Sequence, residues 1–157
     1  MSDTGSDTVW SLDEAVEQFL AADFVDGDLV SHDYWLHLLE INDAVMRNNQ
    51  FVLLERMDAM KTVLLEVHNI ALQNVRGRGY RLVPPAEQSR FAAEEASRYI
   101  EKGLRKGKRL LDHTRVDALE VEDRKRHTDT QIRMAALGGV IEESKRDVFK
   151  LFDSSKK

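Results

Sequence analysis

The chain has 157 residues, 42% hydrophobic and 32% charged, which allows one core of ordinary size and leaves little apolar material for a second. It contains no cysteine, which excludes a disulfide framework, a thiolate zinc site and a cysteine nucleophile and points to a reducing, cytoplasmic compartment. The net charge of -5 hides an uneven distribution: residues 1–70 carry 3 Lys+Arg against 14 Asp+Glu, residues 71–113 carry 10 against 5, and residues 114–157 carry 10 against 9. Such asymmetry suggests that one part of the molecule meets an anion, or that two parts meet each other.

Residues 1–10, MSDTGSDTVW, are polar and acidic. They read as a disordered N-terminus rather than a secretory signal, and no apolar run along the chain approaches membrane-spanning length. Ser11 and Asp13 open an apolar series, Leu12, Val16, Phe19 and Leu20, that predicts a helix ending near Ala22. Asp26-Gly27-Asp28 is a turn signal, and Leu29-Val30 is long enough only for a minimal strand. Ser31 caps a second helix in which Tyr34, Trp35, Leu38 and Leu39 share one face, with Asn42 and Asp43 interrupting it.

Residues 51–68 form the most apolar helix, with Phe51, Leu54, Met57, Met60, Leu64 and Val67 spaced by three or four as a buried stripe requires. The period then changes to two. Residues 70–75 and 80–83 alternate around Arg76-Gly77-Arg78-Gly79, the pattern of a β-hairpin. Pro84-Pro85 ends the return strand and starts a helix over residues 86–113. On that helix Ala92, Ala96, Tyr99, Ile100, Gly103, Leu104, Gly107, Leu110 and Leu111 occupy one wide face, and Arg98, Lys102, Arg105, Lys106 and Arg109 another. Residues 122–131, EDRKRHTDTQ, hold no apolar side chain and read as a linker or a solvated helix, while Gly138-Gly139 argues against an unbroken helix over residues 132–152. Residues 153–157 read as a disordered tail.

The segment Asn74-Val75-Arg76-Gly77-Arg78-Gly79-Tyr80-Arg81-Leu82 resembles the C-terminal wing of response-regulator output domains, a winged-helix DNA-binding family. The resemblance is specific over roughly ten residues and topological over the rest of residues 27–83. It implies a mainly α fold with a small β-hairpin (α+β): a winged helix over residues 11–84, followed by a helical extension over residues 85–152. It also implies a DNA-binding regulator of bacterial or phage type that acts by occupancy on duplex DNA, with the helix before the wing as reader. No receiver domain is expected within these residues.

The residues bear on the same expectation. Gly77 and Gly79 permit the positive dihedrals of a tight turn and a close backbone approach to a ligand. With Tyr80 and Leu82 turned toward the helices, Arg76, Arg78 and Arg81 are left to reach phosphates or a minor groove, or simply to be solvated. The helix before the wing departs from the family pattern: Glu55, Asp58 and Glu66 outnumber Arg56 and Lys61, its only cations for DNA. The stripe Arg98, Lys102, Arg105, Lys106 and Arg109 would extend the footprint over the phosphate backbone. The competing account makes it a solvated helix face with Glu94–Arg98 and Glu101–Arg105 pairs.

Two further alternatives stay open. The acidic half, with Asp23, Asp26, Asp28 and Asp33, suits an adaptor or inhibitor that binds a basic protein partner. Gly103 and Gly107, four apart beside Ala96, Leu104 and Leu111, form a surface that another helix can approach closely, either within the chain or in a homodimer through the C-terminal helices.

Nothing in the sequence calls for catalysis. His32, His37, His68, His113 and His127 show no metal-ligand spacing, and there is no phosphate-binding loop, dinucleotide fingerprint or nucleophile elbow. The expectation is a non-enzymatic protein with no cofactor, no metal and no membrane association.

Overall fold

A computed structural model describes residues 9–154. The elements run α1 (Leu12–Ala21), β1 (Leu29–Ser31), α2 (His32–Leu38), α3 (Asp43–Asn48), α4 (Val52–Glu66), β2 (Leu72–Val75), β3 (Gly79–Leu82), α5 (Pro85–Asp112), a 3-10 turn (Val116–Ala118) and α6 (Val121–Asp153). The protein is therefore mainly helical with one small antiparallel sheet. It divides into two compact units, Met1–Gln88 and Ser89–Lys157.

In the first unit local chemistry sets the helix ends. The Ser11 hydroxyl accepts from Glu14 N–H, the Ser31 hydroxyl from Tyr34 N–H and Asn42 Oδ1 from Val45 N–H, satisfying donors that a first helical turn cannot pair internally. At the other ends Asp23, Glu40 and Asn69 take left-handed backbone conformations. Around Glu40, Ile41 N–H reaches Leu36 O at 2.9 Å and Glu40 N–H reaches His37 O at 3.1 Å, a Schellman closure of α2.

The sheet is ordered β1-β3-β2, all antiparallel, with Val30 opposite Tyr80 and Asn74 opposite Tyr80 on the other side. Its inner side meets α1, α2 and α4 around Phe19, Trp35, Leu39, Met60 and Leu64, each at most 2% exposed. Aromatic rings tile this core: Phe19 stacks on Trp35 at 5.2 Å between centroids, and Tyr80 meets Trp35 edge-on at 5.9 Å. The indole N–H of Trp35 is buried with no hydrogen-bond acceptor among the described residues.

Several expectations change here. Residues 1–8 and 155–157, expected to be disordered, lie outside the described residues. Trp10, at the end of the N-terminal stretch, packs against the core and donates from Nε1 to Leu38 O at 3.3 Å. Asn42 and Asp43 do not merely interrupt: Asn42 caps the short helix α3, which buries no residue and so left no apolar stripe to read. In α4 the buried residues are Val52, Met57, Met60 and Leu64, whereas Phe51 (57%), Leu54 (61%) and Val67 (65%) are exposed. A three-four spacing covers an arc wider than the sheet and α1 can cover, and only tertiary contact selects the part that is buried.

The second unit is the remainder of α5 followed by α6, two helices whose facing sides share Ala93, Ser97, Leu104 and Leu111 with Gln131, Met134, Ile141 and Lys145. Lys145 and Glu101 form an ion pair across this seam. Helix α6 passes through residues 122–131, the solvated helix of the two alternatives there, and continues unbroken through Gly138-Gly139, contrary to expectation. Two glycines lower helix propensity by about 2 kcal/mol together, which the seam residues on either side, Met134 and Ile141, are placed to offset. A Cβ at Gly107 would stand 3.2 Å from Met134 Cε, a tight contact with the end of a flexible side chain.

Candidate nucleic-acid interface

The hairpin is built as its composition demands. Gly77 has φ +74° and Gly79 φ +141°, and Arg78 N–H closes the turn on Val75 O at 2.9 Å. Tyr80 and Leu82 face the helices. The closeness that Gly79 permits is internal, however: a Cβ there would stand 2.0 Å from Val30 O, so this glycine lets β1 lie against β3.

The three hairpin arginines have different fates. Arg76 and Arg78 are exposed at the turn, and neither has an ion-pair partner among the described residues. Arg81 is committed internally. Its Nη1 and Nη2 donate to Glu87 Oε2 and Oε1 at 2.8 and 2.9 Å, and Nη1 also reaches Gln73 Oε1 at 3.4 Å. The bidentate hydrogen bonds from Arg81 hold the Glu87 carboxyl below its ordinary range, and those to Glu87 raise the Arg81 guanidinium above its own. This pair joins β3 to the first turn of α5, so Arg81 is corrected from a phosphate ligand to a fastening of the fold.

The two cations of α4 are committed as well. Arg56 Nη1 donates to Leu39 O at 2.6 Å and Glu40 O at 3.3 Å, while its guanidinium lies 5.1 Å from the centroid of the Trp10 ring. It ties α4 to the end of α2 and to the chain entering α1. Lys61 Nζ stands 4.6 Å from the centroid of Tyr80. The Tyr80 phenol is raised in pKa by burial and by the neighbouring Asp58 carboxylate. What α4 turns outward is Leu54, Glu55, Asp58, Leu65 and Glu66, an apolar and acidic surface that opposes a polyanion.

On α5 the stripe divides. Arg98 Nη1 pairs with Glu95 at 2.8 Å rather than with Glu94, which binds Arg90 at 3.0 Å, and Glu101 binds Lys145 rather than Arg105. Lys102, Arg105, Lys106 and Arg109 are exposed and lack an ion-pair partner among the described residues. They stand in the second unit, Arg76 and Arg78 in the first.

Of the acidic candidates, Asp23 occupies the left-handed position after α1, and Asp28 Oδ2 accepts from Val25 N–H at 2.9 Å, closing the loop ahead of β1. Asp26 is exposed in that loop beside Val25, itself 63% exposed, and Asp33 lies in the first turn of α2. Among the described residues no three His, Asp or Glu side chains are grouped to hold a metal, and no helix is long and apolar enough to cross a membrane. Sequence reasoning missed Gln73 and Glu87 as the partners of Arg81. The single signal for them was a glutamate in the first turn after Pro85.

In comparisons with protein-family models, curated proteins and solved structures, nothing matched this chain.

Proposed function

We propose that the chain is a non-enzymatic, cytoplasmic regulatory protein that binds duplex DNA through its phosphate backbone, with Arg76 and Arg78 at the hairpin tip and Lys102, Arg105, Lys106 and Arg109 on α5 as the contacts. The observation that carries this reading is the set of six exposed cations without an ion-pair partner among the described residues, in a chain that pairs Arg81, Arg90, Arg98 and Lys145. Unpaired cations release counterions from DNA at no cost in broken ion pairs. The order α1-β1-α2-α3-α4-β2-β3, with a glycine-turned hairpin after the helix α4, supports the resemblance to a winged helix.

The outward face of α4 is the wrong surface for a major groove, so preference among sequences comes from groove shape at the wing rather than from a reading helix. A salt titration of duplex binding tests the proposal. Arg76→Ala with Arg78→Ala should lower the slope of log K against log salt by roughly 2, and replacing the four α5 cations by alanine should lower it further. Absence of binding at low salt, or unchanged binding in both variants, rejects it.

A second reading rests on the outward Leu54 and Leu65 of α4 among Glu55 and Asp58. An apolar patch ringed by carboxylates suits a basic protein partner, in which case Asp23, Asp26 and Asp33 extend the same acidic surface. Under that reading Leu54→Ser together with Asp58→Asn abolishes capture of the partner, and duplex DNA is not bound at any salt concentration.

A further inference from the structure

The second unit has two helices and no buried residue on either of them. Its seam is only half covered, and seven large apolar side chains at its edge or beyond it are 41% to 70% exposed: Tyr99, Ile100, Leu110, Leu137, Val140, Val148 and Leu151. Their placement follows from helical geometry. On α5, Ala92, Ala96, Tyr99, Gly103, Lys106 and Leu110 recur at the four-three spacing of one stripe, counterclockwise of the seam when viewed from the helix N-terminus. On α6, Leu137, Val140, Ser144, Val148 and Leu151 form the equivalent stripe. Because α6 runs back along α5, the two stripes fall on the same side of the hairpin and form one largely apolar face, broken by two cations, Lys106 on α5 and Arg133, four residues before Leu137, on α6. An open cleft lies along its middle, lined by Ala96, Ile100, Ile141, Ser144 and Val148. Arg98, Lys102, Arg105 and Arg109 lie away from it.

We propose that this face docks a second copy of the same chain, closing a four-helix bundle from two hairpins. The size of the face supports an interface. From Ala92 to Leu110 it is about 28 Å long, and two helices side by side are about 20 Å wide, which gives roughly 550 Å² in projection. With side-chain relief added, that approaches the ~800 Å² per partner of a stable interface, and the projection alone stands at the upper end of the ~300–600 Å² patch that a monomer ordinarily exposes. The form of the face selects the occupant. Closing a core over two antiparallel helices requires another pair of equal length with the same four-three apolar spacing, and this chain carries that pair. Small residues, Ala92, Ala96, Gly103 and Ser144, alternate with Tyr99, Leu110, Leu137 and Leu151, so knobs from one copy meet gaps and the cleft of the other. A two-fold arrangement uses the same patch on both partners.

The test is sedimentation equilibrium of the full chain. A dimer is expected for the wild type, stable to high salt because its contacts are apolar. Val140→Glu or Tyr99→Glu should raise the dissociation constant at least tenfold with helical circular dichroism retained. Ile132→Glu, on the side of α6 away from the face and 63% exposed already, should leave it unchanged. Because the chain has no cysteine, a single Ser144→Cys should give an intermolecular disulfide under mild oxidation, and Arg109→Cys should not. This readout holds even if the glutamate variants unfold. A wild type that is monomeric at all concentrations, a dimer indifferent to both glutamates, or equal crosslinking of the two cysteine variants overturns the proposal. The salt titration measures DNA binding separately, and of its six proposed contacts only Lys106 borders this face.

Discussion

A Cβ on Gly79 would stand 2.0 Å from the carbonyl oxygen of Val30, so the outer strand β1 lies against β3 only because residue 79 has no side chain. The contact is to backbone, and the sheet register Ser31 to Gly79 leaves it no room to yield. Gly77, two residues earlier, has open space around it and needs glycine only for its φ of +74°. Gly79→Ala is therefore expected to destabilise by roughly 3 kcal/mol or more, and Gly77→Ala by about 1 kcal/mol. Urea unfolding of the two variants checks the order. Equal losses would show that the close approach of β1 contributes nothing.

Arg56 joins three separate pieces of chain through Leu39 O, Glu40 O and the Trp10 ring. Arg56→Ala should cost about 1.5–3 kcal/mol, since it leaves the Leu39 carbonyl without its charged donor. Arg56→Lys should recover only part of this, because an ammonium cannot lie flat on the indole while reaching both carbonyls. In the folded variant DNA affinity should match the wild type. A loss of affinity without a loss of stability would place Arg56 back among the DNA contacts.

The Arg81–Glu87 pair has an acid signature. The folded Glu87 carboxyl titrates below its ordinary value of 4.5, chiefly because it accepts hydrogen bonds from Arg81. Stability from this pair is therefore fully present above pH 4.5 and is lost as pH falls through the depressed folded value. Glu87→Gln should flatten the pH dependence of unfolding below pH 4.5 and leave stability at higher pH only slightly reduced, since the pair is exposed to solvent. An unchanged acid limb in the variant would mean that the pair does not persist in solution.

At the opposite end of the pH scale, the Tyr80 phenol is raised above its ordinary 10.0 by burial and then by Asp58. A raised phenol favours the neutral form in the folded state, so its contribution is complete below pH 10.0 and is lost as pH rises through the folded value. Tyr34 behaves in the same sense, through burial alone. Tyr80→Phe should reduce the steepness of alkaline unfolding, and Asp58→Asn should move the Tyr80 absorbance titration toward lower pH. No movement in the second variant would contradict the closeness of Asp58.

Replacing the Trp35 indole tests how the core accommodates an N–H without an acceptor. Trp35→Phe loses volume and also removes the unpaired donor, so the two effects oppose each other and the net cost should stay near 1 kcal/mol. Phe19→Ala, which removes a ring of the same cluster without such compensation, should cost about 3–5 kcal/mol. Near-equal losses would mean that the indole N–H is satisfied in solution.

What could be read from residue order alone was whatever depends on neighbours in sequence. The helix start at Ser11, Ser31 as a cap, the Gly27 turn, the minimal strand at Leu29 and the hairpin around Gly77 and Gly79 all follow from dihedral preferences and hydrogen bonds that reach three or four residues. The basic stripe of α5 was legible for the same reason, because helical periodicity is a local property. Which cations are free was not. Arg81 is answered by Glu87 across the strand-to-helix junction, Arg56 by carbonyls 16 and 17 residues away, and Glu101 by Lys145 on the returning helix. Counting charges cannot separate a paired guanidinium from an available one, since pairing is decided by which elements pack together. Packing likewise chose Met57, Met60 and Leu64 over Leu54 and Val67 on α4. Short-range stereochemistry wrote the elements, and burial, a collective property of the assembled chain, assigned each side chain to the interior or to the surface.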